Sequence, residues 1–112
     1  MEVRFTPYTN SGLVAVQGHI DALTAGELIT FTTGQINQGH HQMVLDLSQV
    51  EFMSSAGLRA ILVTLKESRG KGGDLRLAAP QAAVEKVLKI SGFTSFLKCY
   101  PTVEQALASF SE

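Results

Sequence analysis

Apolar and polar positions alternate with period two at the start of the chain. Val3, Phe5 and Pro7 interleave with Arg4, Thr6 and Tyr8, and Thr9-Asn10-Ser11-Gly12 supplies turn chemistry. Leu13-Val14-Ala15-Val16 resumes an apolar strand ending at Gly18, so the first twenty residues predict a hairpin with Pro7 at an edge. The period then lengthens. Thr24-Ala25-Gly26-Glu27 has the form of a capping box, and Ala25, Leu28, Ile29 and Ile36 fall on one helical face. Met43 to Leu47 is an apolar run of strand length. Leu58, Ile61, Leu62 and Leu65, spaced i, i+3, i+4, i+7, predict the clearest helix, which closes at Arg69-Gly70-Lys71-Gly72-Gly73. Leu75 to Ala79 reads as a strand ended by Pro80. Residues 81–90 read as a helix with Val84, Val87 and Leu88 inward, and Phe96 to Tyr100 as a last strand. A final helix begins with Thr102 and Gln105 in capping-box spacing and buries Val103, Ala106, Leu107 and Phe110. The predicted order is ββαβαβαβα, an α/β sheet whose strands are parallel after the hairpin.

Composition narrows the function more than the fold. A chain of 112 residues with no repeat or linker predicts one domain, 1–112. The net charge is −1 and charged residues are 17%, which argues against a nucleic-acid surface; the lack of Trp argues against base-stacking platforms. Hydrophobic residues at 45% argue against disorder. No apolar run reaches the roughly 18–20 residues that span a bilayer, and the N-terminal residues do not read as a signal peptide, so the expectation is a soluble, cytoplasmic domain without a membrane partner. A single cysteine, Cys99, excludes an intramolecular disulfide and reads as a small buried hydrophobe. The charge is uneven. Residues 1–58 carry one base, Arg4, against five acids, a balance of −4; residues 59–112 carry eight bases against five acids, a balance of +3.

Three places could hold chemistry. His19, His40 and His41 lack the i, i+4 spacing of a metalloprotease helix, so no metal site is predicted. Gly70-Lys71-Gly72-Gly73 follows a helix and precedes a strand, whereas a phosphate-binding loop must open a helix; it reads as a C-terminal turn. Ser54-Ser55-Ala56-Gly57 opens the strongest helix. There a serine can serve as N-cap. Nucleophilic catalysis would require a base and a strained elbow, and no Gly-x-Ser-x-Gly is present. A phosphate on a serine at this position is tolerated by the helix dipole and adds about −1.5 to −2 charges.

The stretch Val44-Leu45-Asp46-Leu47-Ser48-Gln49-Val50-Glu51-Phe52-Met53-Ser54-Ser55-Ala56-Gly57-Leu58 resembles the signature of STAS domains, specifically the bacterial anti-sigma-factor antagonists. Gly18-His19-Ile20-Asp21-Ala22-Leu23-Thr24-Ala25 is similar to the family's second marker. The resemblance implies a STAS-type fold, a mixed and mostly parallel sheet with helices packed mainly on one face. It implies a binding module with no cofactor, metal or catalytic residue. The unphosphorylated protein would capture an anti-sigma factor that is itself a serine kinase of the GHKL ATPase type and so release the sigma factor. Phosphorylation of the motif serine would end the binding, and a PP2C-type phosphatase would reset it. The phosphoacceptor maps to Ser55, ahead of Ser54, which stands where the family carries Asp. The implied partner-binding residues are Asp21, Thr24, Ser54, Ser55, Ala56, Gly57 and Leu58, and Asp46 matches the family's strand acid. If the two loops converge, Ser55 sits near Asp21 and Glu51.

The Ser54 departure keeps open an alternative, a STAS module in another bacterial signalling assembly whose serine stays unmodified. A small enzyme is a third class, and a purely structural serine a fourth. The first edge strand leaves a monomer or a weak dimer as the expected state.

Overall fold

In the computed structural model, which describes residues 1–111, the opening hairpin pairs β1 (Glu2–Pro7) antiparallel to β2 (Gly12–Ile20). The Tyr8 amide donates to the Ser11 carbonyl at 2.8 Å and closes the turn. β2 continues two residues beyond Gly18, where the predicted strand ends. Gly18 takes a positive φ of 108°, which other residues rarely adopt, and the register with β3 shifts immediately after it.

The capping box predicted at α1 (Ala25–Asn37) does not form. Thr24 stands at the N-cap but makes no side-chain cap hydrogen bond; its hydroxyl turns back to the preceding loop. α1 buries Ala25, Leu28, Thr32 and Ile36, and Ile29 is only partly covered. β3 (Gln42–Met53) is 12 residues long, far beyond the five predicted. Its first half lies between two strands, paired with β2 and with β4 (Asp74–Ala78). After Asp46 only β2 accompanies it, so exposed Gln49, Glu51 and Phe52 interrupt the apolar pattern while Val50 and Met53 remain buried.

The next helix, α2 (Ser55–Gly70), buries Gly57, Ala60, Ile61, Thr64, Leu65 and Ser68; Leu58 and Leu62, predicted inward, are half-buried. The small residues bring α2 close to α1, where Thr32 and Thr64 share a buried hydrogen bond of 2.7 Å. The Thr64 hydroxyl also donates to the Ala60 carbonyl, so neither buried oxygen lacks a partner. α3 (Ala82–Ile90) buries Val84 and Leu88. The strand predicted over 96–100 is reduced to β5 (Cys99–Tyr100), because a 3-10 turn at Phe93–Ser95 and irregular backbone fill the preceding positions. Cys99 is half-buried, and that burial, with Glu85 adding and Lys89 opposing, pushes its thiol pKa up. α4 (Val103–Ser109) begins as predicted: the Thr102 hydroxyl accepts from the Gln105 amide at 3.1 Å.

The sheet order is β1-β2-β3-β4-β5, and every pairing after the hairpin is parallel. The main core joins one face of the sheet, including Val14, Val16, Leu45, Leu47, Leu75 and Leu77, to α1, α2 and α3. On the other face α4 covers Val44 and Ala78, with Leu13 and Tyr100 beside them. Three helices on one face and one on the other give the predicted STAS-type arrangement.

Candidate functional site

Successive residues along β2 and β3 run in parallel, so both strands deliver their following segments to the same end of the sheet. Ile20 and Met53 are opposite each other at that end. The Ser54 amide donates to the Ile20 carbonyl at 3.0 Å, which ties the start of α2 to the loop before α1. Gly57 makes this approach possible: a Cβ there would lie 2.7 Å from both the Ile20 carbonyl oxygen and the Met53 side chain. The two marker segments therefore converge.

The adjacent serines divide the work. Ser54 is the N-cap, extended at ψ 179°, and its hydroxyl oxygen accepts from the Ala56 amide at 3.2 Å. Its carbonyl accepts from the Leu58 amide at 3.1 Å. Ser55 is the first residue of α2 and is exposed. No hydrogen bond among the described residues engages its hydroxyl, which stands at the positive end of the helix dipole. Ala56 and Leu58 are half-buried against the core and anchor the turn from below.

Asp21 and Thr24 form a closed knot. The Asp21 carboxylate accepts from the Leu23 amide at 2.9 Å and from the Thr24 hydroxyl at 3.3 Å. The Thr24 hydroxyl accepts from the Asp21 amide at 2.9 Å and approaches the His19 carbonyl at 2.8 Å. Asp21 thus shapes its own loop as an Asx turn. Glu51 is exposed on the last stretch of β3. The two expected acidic neighbours differ in this respect, one committed to backbone and the other free in solvent. Asp46 lies elsewhere: it faces the same side of the sheet as Val44, caps the Ser48 amide at 2.9 Å, and borders a shallow hollow with Glu2, Arg4 and Gln49.

Two residues of this end are not among those predicted. Leu23 is 93% exposed and Phe52 is 50% exposed, with the His19 ring edge-on to Phe52 at 5.9 Å. Leu23 carries a legible signal, since it belongs to no helical or strand face. Phe52 does not: its spacing from Val50 reads as one face of a strand, and the irregular register turns it outward. His40 and His41 sit at the opposite end of the sheet, beside Tyr8 and Gly72. Among the described residues no group of His, Cys, Asp or Glu is placed to hold a metal ion, and no helix is long and apolar enough to cross a membrane.

The chain as a whole is similar to known proteins. The STAS domain family model matches residues 2–106. A Bordetella bronchiseptica protein named "Putative anti-sigma factor antagonist BtrV" is 34% identical over 98 residues, covering 88% of this chain and 84% of its own. The crystal structure of an anti-sigma factor antagonist from Mycobacterium paratuberculosis superposes with a TM-score of 0.90 at 25% identity, over 99% of this chain and 94% of that one. SpoIIAA of Bacillus shares the fold in two forms. Its unphosphorylated form gives a TM-score of 0.81 at 21% identity, covering 95% of this chain and 93% of its own. Its phosphorylated form gives 0.74 at 20% identity, covering 96% and 98%. With its ββαβαβαβα order, its converging markers and these matches, the chain belongs to the STAS domain family.

Proposed function

We propose that this protein is an anti-sigma factor antagonist, a binding module and not an enzyme, acting in the cytoplasm. Its unphosphorylated form binds an anti-sigma factor that is also a serine kinase of the GHKL ATPase type. Transfer of phosphate to Ser55 ends the binding, and a PP2C-type phosphatase restores it. The observation that carries this reading is the division between the two serines. Ser54 uses its oxygen to cap α2, so Ser55 is left exposed with a hydroxyl that no fold contact needs. A phosphate there meets a helix N-terminus and leaves the fold intact, while it changes the charge of the surface by more than the whole chain's −1. The partner face in this reading comprises Asp21, Thr24, Ser54, Ser55, Ala56, Gly57 and Leu58, with Leu23 and Phe52 as its apolar anchors.

The test is binding of Ser55→Ala and Ser55→Asp to the cognate kinase. The Ala variant is expected to bind as the unmodified protein does, and the Asp variant at least tenfold more weakly. Mass spectrometry of the chain after incubation with kinase and ATP should place one phosphate on Ser55. The replacement of the family's Asp by Ser54 favours one alternative, a STAS module of another assembly with an unmodified serine. Equal affinity of both variants, with no phosphate on the chain, would select that alternative.

A further inference from the structure

The free edge of β1 carries backbone groups of known direction. Because the Tyr8 amide bonds to the Ser11 carbonyl, the hydrogen-bonded positions of this hairpin alternate from there: Thr6, Arg4 and Glu2 face β2. Val3, Phe5 and Pro7 therefore turn their backbone groups outward, with no strand beyond them among the described residues, since β1 ends the sheet. Pro7, which has no amide hydrogen, occupies one of these outward positions at no cost to the hairpin. Val3 and Phe5 also present half-buried side chains at the rim of the main core, while Glu2 and Arg4 are exposed on the other face.

We infer that β1 is a self-association edge, pairing antiparallel with β1 of a second copy across a two-fold axis at Val3. Symmetry and the alternation of outward groups leave the axis on one of the six residues from Glu2 to Pro7. An axis at Glu2 sets Glu2 against Glu2, and one at Arg4 sets Arg4 against Arg4, both repulsive. An axis at Phe5 sets Val3 against Pro7, one at Thr6 sets Phe5 against Pro7 and one at Pro7 sets the two prolines opposite each other, and each loses two ladder hydrogen bonds to the missing amides. An axis at Val3 sets Glu2 against Arg4 of the second copy, and Arg4 against its Glu2. Val3 of the two copies then exchange both hydrogen bonds, and their side chains extend one apolar rim into the other. Within one copy Glu2 and Arg4 stand only 4.0 Å apart at high exposure, so the pair exchanges a loose local partner for a facing one. The edge is six residues long and bears a proline at one end, so the dimer is weak and concentration-dependent. This surface is separate from Ser55 and does not depend on the proposed phosphorylation.

The experiment is sedimentation equilibrium of the whole chain across a concentration series, with reductant to exclude a Cys99 bridge. The wild type is expected to show a reversible monomer–dimer equilibrium. Val3→Pro removes an amide that the hairpin does not use, and should remove the dimer while circular dichroism stays native. Arg4→Glu should weaken the dimer about tenfold, as two symmetry-related pairs turn repulsive. Glu2→Arg with Arg4→Glu restores the pairing with signs exchanged and should recover most of it. This charge swap decides the matter even if Val3→Pro fails to fold. A wild type that stays monomeric to millimolar concentration would overturn the inference. So would an Arg4→Glu variant that associates as tightly as the wild type, or a double variant no better than the single one.

Discussion

The two ends of the parallel sheet are built by the same means and differ in what they leave exposed. At the end where β2 and β3 finish, the Ser54 amide bonds to the Ile20 carbonyl and Gly57 has no room for a Cβ. At the end where β3 and β4 begin, the Asp74 amide bonds to the His41 carbonyl at 3.1 Å, and Gly73 is pressed against the His41 backbone. In both places a glycine lets two loops touch and a backbone hydrogen bond locks them. At the far end His40 sets its ring, tilted, 4.6 Å from Phe5 and partly covers it, and the aromatic left uncovered there is Tyr8, 49% exposed beside a turn and not beside a helix N-terminus. The serine end leaves Leu23 and Phe52 uncovered beside an unengaged hydroxyl. Close glycine packing is thus a device of the fold. What sets the serine end apart is apolar side chains left uncovered around an unengaged hydroxyl, at the carboxyl ends of parallel strands where α/β sheets commonly place their sites, and the proposed partner face rests on that difference.

The largest effects test the shared half of that comparison. Gly57→Ala and Gly73→Ala each force backbone apart and should each lower stability by about 1–3 kcal/mol, read as a lowered Tm. Their binding should diverge. Gly57→Ala displaces Ser54 and Ser55 from Ile20 and should lose the partner even below its Tm. Gly73→Ala, measured while folded, should bind as the wild type does. Loss of affinity in folded Gly73→Ala would show that the two ends are coupled.

Next in size, Leu23→Ala and Phe52→Ala address the difference itself. Both side chains are exposed in the free protein, so thermal melts should move by no more than the effect of about 0.5 kcal/mol. In the proposed complex they serve as the apolar anchors, and each truncation should then weaken kinase binding about tenfold or more by titration calorimetry. Wild-type affinity in both variants would remove these residues from the partner face.

How far the two ends were legible in the sequence follows the same division. The element order was legible because hydrophobic period reports burial, and most of the buried positions that show period, such as Leu28, Ile61 and Leu65, are apolar. Thr32, Thr64 and Ser68 were not, because Thr32 and Thr64 bond to each other across the α1–α2 contact, Ser68 donates to the Thr64 carbonyl of its own helix, and all three look like surface residues in a sequence. The length of β3 was hidden for a related reason: half of it has a neighbour on one side only. At the site, the serine pair and the Asp21 loop were legible through their resemblance to a family. Which serine caps the helix was decided only by geometry. Thr24 was misread as half of a capping box, because sequence cannot show that its hydroxyl already serves Asp21 and His19.

Within the serine end a smaller contrast can be measured. Ser54→Ala removes the acceptor for the Ala56 amide and should cost about 1 kcal/mol, the usual value of an N-cap. Ser55→Ala removes a hydroxyl without a partner and should change stability by less than about 0.5 kcal/mol. Denaturant midpoints of the two variants, with unchanged slopes, give the comparison directly. Equal losses would mean that both serines are structural.

The smallest expected effect belongs to the far end. His40→Ala removes a tilted ring pair with Phe5 at the rim of the core, an interaction of about 0.5–1.5 kcal/mol in well-packed pairs and weaker here, since both rings are partly exposed. The variant should therefore melt only slightly lower and bind the partner without change. Its value lies in what it uncovers. With His40 gone, Phe5 joins Tyr8 as an exposed aromatic at this end, but beside the Thr9–Ser11 turn and with no helix N-terminus next to it. If exposed apolar surface alone defined the docking face, His40→Ala would gain affinity for the kinase at a second site, and the titration would rise above one partner per chain. A stoichiometry held at one keeps recognition with the combination that only the serine end possesses: an uncovered Leu23 and Phe52 around a helix N-terminus whose first hydroxyl is left for chemistry.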